Sequence, residues 1–161
     1  MDAASQPAEP DMLTPLDPAF VKVVRIGWVL GLLPVLLGAL VLESRELLPW
    51  GAFLGPVLVV GMVAVLRVPL RRYKARGYRL DEDRLRVVKG LLFRSDTVVP
   101  FGRVQHIDVE QGPLERLHGL GTLVLHTAGN HNSSVSLPGL LHGDALAMRE
   151  AIRAHVTRET M

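Results

Sequence analysis

The chain has 161 residues, 48% hydrophobic and 21% charged, with no cysteine and a formal net charge of +2. Lack of cysteine excludes disulfides, thiolate catalysis and cysteine-ligated zinc. So small a net charge makes no case for a nucleic-acid partner, although the pI is about 9.4, and none is expected.

Residues 1–19 carry Asp2, Glu9, Asp11 and Asp17 among Pro7, Pro10, Pro15 and Pro18. With little to bury, they are expected to form a disordered acidic tail. An acidic stretch ahead of the first apolar run lacks the basic start and early apolar segment of a cleaved signal peptide. No cleaved signal is therefore expected.

Two apolar runs follow, Ile26 to Leu42 (IGWVLGLLPVLLGALVL) and Leu47 to Leu66 (LLPWGAFLGPVLVVGMVAVL), neither with a charged residue. Crossing the hydrocarbon core takes roughly 20 apolar residues. The second run meets that length, and the first does so if Val23 and Val24 are counted while Arg25 snorkels outward. Both are apolar all round, whereas a soluble core helix keeps a polar stripe. Residues 20–76 are therefore expected to form a two-helix transmembrane hairpin with a basic juxtamembrane end.

Only Glu43-Ser44-Arg45-Glu46 separates the runs, which makes the helices antiparallel neighbours. Lys22 and Arg25 precede the first, while Arg67, Arg71, Arg72, Lys74 and Arg76 follow the second with no acidic residue before Asp81. Lys and Arg gather on the cytoplasmic side, so both termini are expected in the cytoplasm of a multi-pass cell-membrane protein. Trp28 and Trp50 suit the two interfaces. Pro34 is expected to kink the first helix. Gly51 and Gly55, spaced for close backbone approach, are expected to mark either the seam within the hairpin or a dimer seam. No ionisable group falls mid-membrane, which argues against a transporter.

From residue 77 to 158 the pattern changes to short strands. Tyr78 to Leu80, Arg84 to Lys89, Leu92 to Val99 and Arg103 to Glu110 read as strands punctuated by Asp81-Glu82-Asp83, Gly90 and Pro100. On the last of these, Ile107 and Val109 share one face, and His106 and Asp108 the other. Pro113 to His118 forms a helical turn stopped by Gly119. Thr122 to Ala128, with Leu123 and Leu125 inward, pairs through Gly129-Asn130 with His131 to Leu137. Asp144 is expected to cap a helix from Ala145 to Val156 whose Ala145, Met148, Ile152 and Val156 form one buried stripe. Strands followed by a covering terminal helix give an α+β arrangement, and about 80 residues can hold a core, though a marginal one.

Val99 to Gly129 (VPFGRVQHIDVEQGPLERLHGLGTLVLHTAG), preceded by Asp83 to Arg94 (DRLRVVKGLLFR), resembles the bacterial pleckstrin-homology-like (PH-like) domain of the YdbS-type membrane proteins. The likeness lies in Pro100, Arg103-Val104-Gln105, Gln111-Gly112, the Leu117/Gly119-Leu120 turn and Thr127-Ala128-Gly129. It implies a membrane hairpin followed by a seven-stranded antiparallel β-barrel or sandwich capped by the C-terminal helix. It carries no defined activity, and PH-like folds host lipid, peptide and protein ligands alike. Lipid-binding eukaryotic relatives hold inositol phosphates on a basic loop after their first strand. Here that turn is Asp81-Glu82-Asp83, which would repel phosphate.

Catalytic and metal sites are not expected. His106, His126 and His131 could be imagined around zinc, but nothing in their spacing fixes a ligand set. Ser133 and Ser134 lack the strained elbow of a serine nucleophile near His106 and Asp108. Gly119-Leu120-Gly121 is too short to cradle phosphate. No cofactor is expected. The expected function is that of a non-enzymatic, integral membrane adaptor whose PH-like domain engages another membrane protein or a further copy of itself on the cytoplasmic face. His106, Asp108 and Arg116, polar without structural need, are the candidate partner-binding residues. The alternative is a sensor of anionic lipid surfaces, in which Arg67, Arg71, Arg72, Lys74 and Arg76 hold headgroups besides setting topology.

Overall fold

The computed structural model describes residues 13–45, 49–91, 93–128 and 134–159. Helices α1 (Ala19–Glu43) and α2 (Leu54–Lys74) come first, and both are long and apolar enough to cross a membrane. Strands β1 (Gly77–Leu80), β2 (Arg84–Lys89) and β3 (Ser95–Pro100) form one antiparallel sheet. A 3-10 turn (Phe101–Arg103) leads to β4 (Val104–Glu110), the short helix α3 (Pro113–Leu117), β5 (Leu120–Thr127) and β6 (Ser134–Leu141). These three strands form a second antiparallel sheet in the order β4-β5-β6, and α4 (His142–Glu159) closes the fold.

The expected α+β arrangement with a covering terminal helix holds, but the barrel is not closed. Each sheet has three strands, six in all among the described residues rather than the seven that the resemblance implied. The 3-10 turn with buried Phe101 takes the corner between β3 and β4, so neither strand pairs with the other. What joins the sheets is side-chain packing. Leu85, Val87 and Val99 from the first meet Leu123, Leu125, Val135 and Leu137 from the second, with Ala145, Met148 and Ile152 of α4 in the same cluster. The α4 stripe read from sequence is therefore the one that is buried. Its start differs: α4 begins at His142, straight out of β6, and Asp144 sits in the first turn rather than at the cap. There its charge still suits the positive end of the helix dipole.

Residues 13–19 do not behave as a tail. Thr14 bridges to Tyr78 through two backbone hydrogen bonds of 2.7 and 3.1 Å, Asp17 N–H donates to the Gly139 carbonyl at 2.8 Å, and Leu16 is buried in the core. Proline and acidic content misleads here because the docking uses backbone groups and a few apolar side chains, with Leu16 buried. Residues 1–12 of the expected tail lie outside the described residues.

The hairpin also departs from its expected bounds. Ala19, Phe20, Val23 and Val24 pack against the domain core, so the first turns of α1 are part of the domain's packing. Arg25 is half-buried, and its Nε lacks a hydrogen-bond partner among the described residues. The second run is not all helix. Residues 49–53 form the hairpin turn, with Gly51 at φ +92°. Such a turn leaves the first N–H groups of α2 without helical partners. The buried carboxylate of Glu43, at the end of α1, accepts hydrogen bonds from the Gly51, Phe53 and Leu54 N–H groups. Pro34 lies inside α1 as expected, and Pro69 lies buried inside α2.

Gly51 and Gly55 do not mark the seam within the hairpin, because a Cβ added at either would meet nothing within 4 Å among the described residues. The close approach falls at Gly61, where an added Cβ would lie 3.1 Å from Leu32 Cδ1. A GxxxG spacing shows where approach is permitted, and only the helix rotation decides which glycine is used. Gly61→Leu should therefore lower the melting temperature of the full chain in micelles, and Gly55→Leu should leave it within about 1–2 °C. The reverse ranking would place the seam back at Gly55.

Candidate functional site

The outer faces of α1 and α2 are a continuous apolar surface. Leu33, Leu37, Val41, Val59, Val60 and Met62 are all exposed. Apolar area on this scale is costly in water and marks a membrane-contacting surface.

At the domain end of the hairpin, the basic residues read from sequence divide into two groups. Arg67, Arg71 and Lys74 are exposed along α2. Arg72 and Arg76 turn inward and are half-buried. The Arg72 guanidinium lies 6.0 Å from the Trp28 ring centre, and that of Arg76 lies 5.5 Å from the Phe20 ring centre, both within cation–π range. Lys89, at the end of β2, joins them across a cleft of about 430 Å³ that is also lined by Gly90, Leu91 and Phe93. A second cleft, of about 480 Å³, lies against the same connection and adds Lys74 and Arg94. Among the described residues no carboxylate lines either one. Burial, then repulsion from Arg76, lowers the pKa of the Lys89 ammonium below its ordinary value; burial, then Arg72, does the same to Arg76. Lys89 was not among the residues singled out from sequence, because alternation on a strand gives no sign of what a neighbouring helix brings to it.

The second surface lies on β4, an edge strand of its sheet. His106 Nε2 is 2.9 Å from Asp108 Oδ1, and His126 Nε2, on the paired strand, is 3.5 Å from Asp108 Oδ2. His106 and Asp108 line a cleft of about 480 Å³ between β4 and α4, with Gln105, Ile107, Arg149 and Arg153. Arg116 is not in it: it is exposed on α3. Among the described residues no group of three or more His, Cys, Asp or Glu side chains could hold a metal ion. His131 and Ser133 lie outside the described residues.

The acidic turn after β1 is partly neutralised from within. Arg79 Nε bonds Asp81 at 2.8 Å, and Arg84 bonds Asp83 at 2.7 and 2.9 Å. The Arg84 hydrogen bonds hold the Asp83 carboxyl below its ordinary pKa, so it stays ionised near neutral pH.

Comparison with known proteins agrees with this architecture. The family model described as "Bacterial PH domain" matches residues 21–156, which takes in the hairpin as well as the sheets. The transmembrane protein YdbS of Bacillus subtilis (strain 168) is 33% identical over 100 residues, covering 62% of this chain and 61% of that protein. The chain thus spans less than two thirds of that relative's length. No solved structure matches. A membrane-capable hairpin, two packed antiparallel sheets and a covering C-terminal helix meet in one conclusion: the chain is a membrane protein and belongs to the bacterial PH domain family.

Proposed function

We propose that the protein is a non-enzymatic membrane-anchored adaptor. Its hairpin crosses the membrane twice with both termini in the cytoplasm, and its PH-like domain captures an extended segment of another membrane protein at the cytoplasmic surface. The observation that carries this reading is that β4, among the described residues, has an unpaired edge beside the β4–α4 cleft. An exposed edge strand offers unpaired N–H and C=O groups to which a peptide can add as a further strand, and the adjoining side chains select its residues. His106, Asp108, Arg149 and Arg153 would supply that selection. Anchoring supports the reading, because it raises the effective concentration of the domain for partners in the same membrane. Orientation rests on the basic flanks of the hairpin. The packing of Phe20 against the domain core supports two crossings, because it puts the start of α1 on the domain's side.

The lack of native cysteine makes the test direct. Ser44→Cys, at the hairpin turn, should react with an impermeant thiol reagent in intact cells, and Ser95→Cys only after lysis. In native membranes, Gln105→Cys carrying a photo-crosslinker should yield a discrete membrane-protein adduct that is lost on His106→Ala/Asp108→Ala. Ala147→Cys, on the outer face of α4, should give none. Inverted labelling would overturn the orientation. Equal crosslinking from both positions would remove the cleft from the reading.

A further inference from the structure

We propose that the cleft between the end of α2 and the β2–β3 connection binds the phosphate of an anionic phospholipid headgroup, with Phe93 and Leu91 resting in the interfacial layer. This depends on the membrane placement of the hairpin and not on the β4–α4 cleft.

The charge arrangement carries the argument first. Arg72 and Arg76 come from the end of α2 and just past it, and Lys89 from β2, and they converge on one cleft with no carboxylate in its lining among the described residues. Among the described residues none of the three forms an ion pair. Three cations drawn together and partly out of water repel one another, and burial without a counter-charge adds to that cost. Cations that serve only to set topology need no such convergence: the exposed Arg67 and Arg71 already meet that need. An anion in the cleft would offset the repulsion, and a guanidinium fork suits the geometry of phosphate oxygens.

Position then selects the source of the anion. Arg72 belongs to α2, and Arg76 follows two residues after its end, where the helix meets the domain. Phospholipid phosphates lie at that depth, beside the ends of transmembrane helices. Phe93 is 89% exposed, and Leu91, on the same connection, is also exposed. Exposed apolar side chains beside a basic cleft match a surface that rests at the boundary between headgroups and acyl chains.

The backbone holds this connection in place. A Cβ at Gly90 would lie 2.7 Å from the Phe93 carbonyl oxygen and 2.8 Å from Arg94 Cα. The chain therefore folds back on Gly90 too tightly for any side chain there, and this sets Phe93 beside the cations. The nearest acidic group on the adjoining strand, Asp96, is occupied by bonds of 2.5–3.1 Å from Arg86.

The test uses the full chain in lipid nanodiscs of phosphatidylcholine, with and without phosphatidylglycerol. An environment-sensitive dye on Ser95→Cys reports on the cleft. Native mass spectrometry of the micelle-purified chain counts retained lipid. Phosphatidylglycerol should shift the dye signal saturably and be retained at least about tenfold over phosphatidylcholine. Lys89→Glu should lower that preference about tenfold or more, Phe93→Ser should weaken it with no change of charge, and the charge-matched control Arg103→Glu should leave it intact. Lys89→Ala, read in parallel, should fall between Lys89→Glu and wild type, which separates a lost contact from a fold disturbed by a new carboxylate. No preference for phosphatidylglycerol, or equal losses from Lys89→Glu and Arg103→Glu, would overturn the proposal. Saturation by millimolar inorganic phosphate alone would also overturn it, in favour of a soluble anion.

Discussion

Gly139→Ala is expected to destabilise the full chain by about 2–5 kcal/mol, as the sum of two effects. Gly139 has φ +77°, a left-handed conformation that costs a residue with a Cβ about 1–2 kcal/mol. The added Cβ would also fall 2.8 Å from Phe20 Cγ, inside van der Waals contact. Overpacking of that kind costs about 1–3 kcal/mol, because the ring is itself held in the core. Phe20 belongs to α1 and Gly139 to β6, so the substitution strikes the contact that fastens the hairpin to the domain. Thermal unfolding in micelles checks the total, and a double-mutant cycle checks the cause. Gly139→Ala and Phe20→Ala should destabilise by less together than the sum of the two alone, because removing the ring relieves the clash but not the backbone strain. Strict additivity would show that the ring does not press on this position.

Leu125→Ala should destabilise by about 2–5 kcal/mol, out of the 5–15 kcal/mol typical of a whole domain. Leu125 is fully buried on β5, the central strand of its sheet, in the cluster that joins both sheets to α4. Deleting its methyl groups removes transfer free energy and leaves a cavity that neighbours fixed by strand pairing cannot fill. Leu117→Ala is the control. Leu117 is 79% exposed on α3, so its change should lie within about 0.5 kcal/mol of wild type. The single shared core predicts one cooperative transition for both sheets. Two separate transitions in Leu125→Ala, or a loss under about 1 kcal/mol, would contradict it.

These two substitutions bear on the adaptor reading by different routes. Leu125→Ala should lower the amount of folded domain while the hairpin stays in the membrane, because α1 and α2 are held by lipid and by each other. Gly139→Ala should leave both parts able to form and loosen their attachment. Partner capture at the β4–α4 cleft would then fall with the first and persist in part with the second.

Sequence by itself determined the elements that depend on local pattern. The apolar runs declared the hairpin because no soluble environment would tolerate them. Period-2 alternation located β2, β4 and β5, with Leu123 and Leu125 inward, and the stripe of Ala145, Met148 and Ile152 oriented α4. The quoted stretch around Pro100 to Gly129 was enough to suggest the family.

Only tertiary structure decided what depends on contacts between distant segments. The open sandwich follows from a 3-10 corner at Phe101 whose effect on pairing is not local. Leu16 and Phe20 look like the margins of a tail and a membrane helix, yet they fill the domain core because α1 returns to it. Gly61 replaces Gly55 at the seam because helix rotation is set by packing along the whole length of the pair. Glu43, which reads as part of a loop, receives the backbone of the opposite helix end. Lys89 meets Arg72 and Arg76 because the end of the central strand β2 comes to rest against the end of α2. A pattern along the chain records which face of an element is apolar, and it does not record what that face will touch.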